Sequence, residues 1–414
     1  MEISKHDKQI LQELAKKYMS YASLPIHAEK REMWRKLNVH EMQKPMVVID
    51  QLPWDEINTD GHLSCQLEDT SLHVVEWQMR KDIFHWENIP VDMVMNPYIC
   101  IPRPISSTGL GVGAIGHTLN EGDKTVGSHS YINQFEEMED VEKIKTPIVT
   151  LDTQREAELI ELFADIFDGI APFKMRGMYR PLPVWDFIAG WMGVENVYIE
   201  LMMRPELLHA IMDRCTNALL SEIDQINALG GFNAHVHQAH YSYTFTDDLP
   251  GKDFDEKNAT TKDGWTFGMA QLFTSVSPAV TEEFEVEYMK KLFSKFGAVY
   301  YGCCERLDDR LDVIAKMPNV RKISCSPWSD KKRFAENLDP KYIMSNKPNP
   351  AYLAGTTFDE DVVRRDIRET IQVAKDNGLG VELILKDLST VKGDFNRVVR
   401  WAEIANEETL RASL

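Results

Sequence analysis

The sequence predicts an α/β protein folded as a (β/α)8 barrel with an elaborated N-terminal region. Three observations lead there. From about residue 155, amphipathic helical patterns alternate with short apolar runs, the signature of parallel βα units. The runs are the length of strands bounded by turn residues. Chemistry-bearing side chains fall directly after each run, where a barrel builds its catalytic face. A doubly wound sheet is the competing arrangement.

Taken in order, residues 1–42 carry apolar positions three and four apart with charges between, which predicts helix. Residues 45–150 break into short pieces rich in Pro, Gly, His and Trp, such as KPMVVIDQLPW and NPYICIPRPISS. The region 1–150 is therefore expected to add a helix and an irregular extension, with the earlier strands, to a barrel body over 151–414, the whole forming one structural domain. The body opens with the helix pattern RPELLHAIMDRCTNALLSEIDQINAL. The apolar runs are FNAHVHQAH (232–240), AVYYGCCE (298–305), VRKISCSP (320–327), KYIMSNKPNP (341–350) and GVELILKDLST (380–390). Helical patterns separate them, the last ending in Asn-Gly and Leu-Gly, an expected helix stop.

The chain has 414 residues, 43% hydrophobic and 27% charged, with a net charge of −19. That acidity argues against nucleic acid, whose phosphates need a basic footprint. No stretch approaches the roughly 20 apolar residues that cross a bilayer, and the N-terminus lacks a signal-peptide core. A cytoplasmic protein is expected, its 6 cysteines reduced, acting on a small molecule or a protein partner. A homodimer stays open.

His235, His237 and His240 fall within six residues, two of them on one side of the expected strand. Imidazole suits zinc and general acid–base work; the plain alternative is a hydrogen bond in a polar loop. His237 is the first candidate for catalysis and for metal, His240 for substrate. Cys303-Cys304-Glu305 follows the next run. A strained vicinal disulfide, two packed small residues and a thiolate site are the three readings. In the third, Cys304 faces inward, Glu305 supports or joins it, and Cys325 converges from the following strand. His237, Cys304 and Cys325 would then hold zinc with one position open for substrate. Lys386-Asp387 and Lys347 end the last runs, where they either orient a polar substrate or form a salt bridge. Lys386 and Asp387 are taken as catalytic and Lys347 as substrate-binding. Glu382 is either an inward barrel residue or a solvated one. Gly111-Val112-Gly113-Ala114-Ile115-Gly116 matches a dinucleotide fingerprint on paper, but it neither follows a clean strand nor opens a helix. A lid or substrate loop is expected there, with Arg103 as a substrate contact.

With these motifs in place, SVSPAVTEEFEVEYMKKLFSKFGAVYYGCCERLDD, VRKISCSPWSD and the last strand unit resemble the uroporphyrinogen decarboxylase superfamily. The resemblance covers roughly residues 150–405 and is closer to the cobamide-dependent methyltransferases than to the decarboxylase. Tyr301-Gly302-Cys303-Cys304 stands where thiol-methylating relatives carry a His-x-Cys strand end, and Lys386-Asp387 where they carry a later cysteine. The CCE form resembles the substrate-side methyltransferases of O-demethylase systems. The resemblance implies zinc-assisted methyl transfer from a small methylated donor, such as a methoxyaromatic, to cobalamin carried by a partner corrinoid protein. The alternatives are a decarboxylase of a cyclic or aromatic acid and a non-catalytic barrel that binds a tetrapyrrole or corrinoid.

Overall fold

The computed structural model describes residues 3–119, 128–233, 235 and 237–413. The expected helical stretch at the N-terminus is two helices, α1 (Lys5–Ala22) and α2 (Ile26–Asn38). Ser4 caps α1 by accepting the Asp7 N–H at 3.0 Å, and Pro25 stands between the two. Leu11, Ala15, Tyr18 and Ala22 form the buried stripe of α1, the three-and-four spacing of one helix face. Strand β1 (Met46–Ile49) follows, then α3 (His73–Asn88), β2 (Ile99–Pro102) and β3 (Phe173–Arg176). The long helix α4 (Pro205–Ala228) begins with proline at its first position, where the missing N–H costs nothing.

Two short strands, β4 (Gln238–Ala239) and β5 (Ser242–Tyr243), precede β6 (Trp265–Gly268), β7 (Ala298–Tyr301), β8 (Val320–Cys325), β9 (Ile343–Asn346) and β10 (Val381–Leu385). Helices α5 (Glu360–Asp376) and α6 (Asn396–Ala412) flank the last strand. Six strands make one parallel sheet in the order β1-β10-β9-β8-β7-β6. Every residue of β1 and β10 is buried, which explains why β1 reads as an unbroken apolar run and β10 as one broken only by Glu382.

The expected eight-stranded ring is not one continuous ladder. β2 and β3 form a separate parallel pair, and single bridges, Met178–Phe232 and Leu182–Gly268, carry the chain after β3 toward β6. Among the described residues of 232–240, only Gln238–Ala239 form a strand. Phe232 makes one bridge, and β4 and β5 form an antiparallel hairpin with His240 and Tyr241 at its turn. Their φ angles of 48° and 69° fit a tight two-residue hairpin turn; the alternation of His235 and His237 imitates a strand that the turn forbids. The glycine-rich 109–116 stretch leads into Gly116–Leu119, which pairs antiparallel with Ser128–Tyr131; residues 120–127 lie outside the described residues.

The hairpin is tied to the sheet by a buried ion pair. Lys322 of β8 and Glu382 of β10 meet at 2.8 Å with side chains 1% and 0% exposed. Ser242 donates to Glu382 at 2.9 Å and accepts from Lys322 at 2.6 Å. Lys322 also donates to the Tyr243 carbonyl at 3.1 Å. Glu382 is thus an inward residue, paired rather than solvated. Removing one partner of such a pair costs about 3–5 kcal/mol, because the other charge stays buried alone. Lys322→Met is expected to lose that much stability in urea unfolding, and Lys322→Met with Glu382→Gln to recover a large part of it.

Candidate functional site

Because β7, β8, β9 and β10 are parallel neighbours, the residues after them emerge along one sheet edge. After β7 the chain turns at Gly302, whose φ is +90°. A Cβ there would lie 2.7 Å from Leu307 Cδ1 and 3.1 Å from Ser324 Cβ, so a side chain is excluded by conformation and by space. Cys303 is then pinned on both sides of its backbone. Its N–H donates to Glu305 Oε2 at 2.7 Å, and its carbonyl accepts from Ser324 Oγ at 2.8 Å. Glu305 Oε1 accepts the Ala270 N–H at 3.1 Å. Buried, with its carboxyl pushed up first by that burial, Glu305 braces the turn against the loop after β6; its oxygens face backbone donors rather than the thiols.

The side chains of the turn converge with those after β10. Lys386 Nζ lies 3.1 Å from Cys303 Sγ, 3.6 Å from Cys304 Sγ and 2.6 Å from Asp387 Oδ2. Cys304 Sγ donates to Asp387 Oδ2 at 3.2 Å and stands 3.5 Å from Cys303 Sγ. The lysine side chain is 3% exposed, whereas that of Asp387 is 42% exposed, so the cluster opens at the aspartate. Hydrogen bonding from Cys304, joined by the Lys386 charge, lowers the Cys303 thiol against its burial. Cys304 is raised, first by its bond to Cys303 and then by burial. The pair therefore favours a Cys303 thiolate beside a Cys304 thiol, an arrangement suited to a reactive cysteine. Burial alone would lower Lys386; the two cysteines and Asp387 outweigh it and hold the ammonium charged.

The hairpin turn adds its side chains to this edge. The half-buried His240 ring packs on Phe267 and Tyr300, with centroids 4.7 and 5.2 Å away, and its buried Nε2 has no partner among the described residues. Burial, then the charges of Lys347 and Lys386, push it well below the usual histidine range, so it stays neutral. Tyr241 lies within electrostatic reach of Asp50 and of Lys386, Asp387 and Cys303; burial first, then Asp50, push its phenol up to about 12. Asp387, His240 and Tyr241 all have positive φ, at 59°, 48° and 69°. Such residues cost about 1–3 kcal/mol each and gather where a site over-determines the chain. Lys347 donates to Ser345 Oγ at 3.1 Å over the Tyr300 ring. Burial lowers it to about 7, so its charged and neutral forms are in balance near neutral pH.

The expected zinc set does not assemble. His237 hydrogen-bonds the Tyr98 hydroxyl at 2.5 Å, and burial followed by the Arg31 charge lowers it to about 3. Cys325 is fully buried in the core at the end of β8, its thiol pushed up to about 12 by burial. Among the described residues, no group of three or more His, Cys, Asp and Glu side chains is placed to hold a metal ion. Position relative to the strands brought Cys304 to the edge; the hairpin carried His237 elsewhere, and the pleat set Cys325 on the strand face opposite Lys322 and Ser324, within the core. The residues present do not fit the metal.

His237 instead lines a cavity of about 540 Å³ beside the thiol edge, between β1, β2 and β3. Arg103 shares its wall but is taken, paired with Glu156 and donating to the Gly230 carbonyl at 2.7 Å. Arg176, the last residue of β3, is the cation that sequence reasoning missed. Its signal was its place at the end of a strand, FKMR, too short and too charged to be recognised.

No protein-family model matches the chain, and no curated protein matches it. Among solved structures, a methyltransferase from Methanosarcina mazei aligns over 91% of this chain and 97% of its own, with a TM-score of 0.50 and 13% identity. The likeness is one of fold. No helix among the described residues is long and apolar enough to cross a membrane.

Two outcomes follow from this geometry. Metal content of protein purified without chelator is expected to be the same in the wild type, Cys325→Ala and His237→Gln, as read by mass spectrometry. Between about pH 7 and the usual lysine value of 10.5, the unfolded chain holds the Lys347 proton and the folded chain does not, so stability rises with pH in that window. Lys347→Met is expected to remove this rise, a difference of about 1 kcal/mol per pH unit in urea unfolding at successive pH values.

Proposed function

We propose that this protein is a corrinoid-dependent methyltransferase that takes a methyl group from a small methylated donor at the Cys303–Lys386–Asp387 edge. The observation that carries the reading is a charged lysine held by two cysteines and a carboxylate at the carboxyl ends of two parallel strands of one sheet, where α/β folds place their chemistry. The fold shared with a protein named methyltransferase supports it, as does the resemblance of the CCE region to the substrate-side enzymes of O-demethylase systems. Closure of the six-stranded sheet with β2, β3 and the bridged segments into a (β/α)8 ring belongs to the same proposal.

A reduced corrinoid on a partner protein supplies the nucleophile. This chain's part is the leaving group. As the carbon–heteroatom bond breaks, its electron pair stays on the donor's oxygen or nitrogen, and the Lys386 ammonium faces the charge that develops there. Cys303 and Asp387 keep Lys386 charged and fixed while it is buried, so the stabilising charge needs no reorganisation during the step. His240 and Tyr241 form the neutral wall opposite, and water returns a proton to the departing atom after release. No step runs through zinc.

The test is methyl transfer to cob(I)alamin, followed by its absorbance, from methoxybenzoates, N-methylated amines and methanol. Transfer from one donor class is expected, with Lys386→Met slower by about 10²–10³-fold and its melting curve intact. Absence of transfer from every donor, or full activity in Lys386→Met, overturns the proposal.

A further inference from the structure

The cavity beside the thiol edge holds groups that the methyl-transfer step leaves idle. Its volume of about 540 Å³ falls within the roughly 300–1,000 Å³ typical of small-molecule sites. Much of the wall is apolar: Val48, Met79, Met93, Ile99 and Met178 line it. Into this lining β3 brings Arg176, half-buried, and among the described residues its guanidinium has neither a hydrogen-bond nor an ion-pair partner. Arg103, on the same wall, is fully engaged with Glu156 and Gly230. Lys81 of α3 lines the cavity without a partner as well.

Two uncharged polar groups accompany these cations. The Tyr179 hydroxyl and His85 Nε2 belong to cavity-lining residues and are buried without partners among the described residues. The wall also has two acids. Asp50 accepts its neighbouring Gln51 N–H at 2.7 Å, and Asp82 accepts the Gln78 amide at 2.8 Å; among the described residues neither hydrogen-bonds Arg176, although Asp82 feels its charge. Burial raises the Asp82 carboxyl, which weakens its opposition to a second carboxylate.

A half-buried guanidinium without a hydrogen-bond partner gains by taking one, so an incoming anion completes Arg176 in this mixed polar and apolar cavity. The planar guanidinium fork matches a carboxylate through two parallel hydrogen bonds, better than a point charge does. Asp50 also lines the space, and Tyr241 feels the charges of both Asp50 and the thiol cluster. We propose that this cavity binds a small organic carboxylate with an apolar body, its carboxylate on Arg176 and its far end directed past Tyr241 toward Lys386. That the bound acid is the methyl donor rests on the methyl-transfer reading; the binding itself does not.

The test is calorimetric titration of the full-length protein, without corrinoid, with benzoate, 4-methoxybenzoate and the uncharged 4-methoxybenzamide. The two acids are expected to bind, and the amide to bind about tenfold or more weakly, as the loss of charged hydrogen bonds implies. Arg176→Gln is expected to abolish the preference for the acid and Arg176→Lys to keep part of it. The comparison of acid with amide on the wild type stands even if a variant fails to fold. Equal affinity for acid and amide, or no binding of either acid, overturns the proposal. Acid binding without methyl transfer keeps this site and rejects the methyl-transfer reading. Methyl transfer without preference for an acid rejects this site and keeps that reading.

Discussion

The architecture of the site depends on the buried Lys322–Glu382 pair. Two charges have been taken out of water at the centre of the sheet, and their 2.8 Å contact is completed by Ser242 and the Tyr243 carbonyl. These last two partners come from the β4–β5 hairpin. The pair therefore does more than offset its own desolvation: it requires the hairpin to be present, since without it the remaining hydrogen-bonding capacity of Lys322 would be unsatisfied. The hairpin, held in this way, carries His240 and Tyr241 to the thiol edge at backbone angles that neither would adopt freely. Gln238 and Tyr243 of the same hairpin line the adjoining cavity.

The thiol edge shows a second form of mutual dependence. Lys386 is buried, and burial by itself would drive off its proton; the neighbouring sulfurs and Asp387 reverse that. Cys303 in turn is lowered by Cys304 and by the lysine. Each group holds the other in its charged form, and the single exposed carboxylate marks the way in. Glu305, although adjacent in sequence, acts at one remove: its two backbone hydrogen bonds fix the turn from which Cys303 projects. The cavity and the thiol edge are thus separate surfaces, and Tyr241 feels charges from both.

Much of this edge was legible in the chain. VRKIS, KYIMS and VELIL are short strand-length runs with buried apolar residues on both faces, as parallel strands have, and the residues after such runs share an edge whatever the details of packing. Cys303, Cys304, Lys347, Lys386 and Asp387 could be placed by that rule. The histidine cluster could not. His235 and His237 alternate as in a strand, but His240 and Tyr241 turn the chain back, and their positive φ angles have no composition signal because they replace the usual Asn-Gly. Cys325 was misplaced for a smaller reason: it is the last residue of its strand rather than the first beyond it.

By itself the sequence determined the βα rhythm, the strand ends and the placing of two thiols, a lysine and an aspartate at those ends, because each of these follows from local periodicity and from the parallel direction of the strands. Only the tertiary structure decided which of those polar groups meet. It paired Lys322 with Glu382 from strands far apart in the chain, consumed Arg103 and left Arg176 unpaired, and withheld His237 and Cys325 from the thiols. These are long-range contacts, fixed by how the hairpin is seated against the sheet, and no spacing along the chain encodes them.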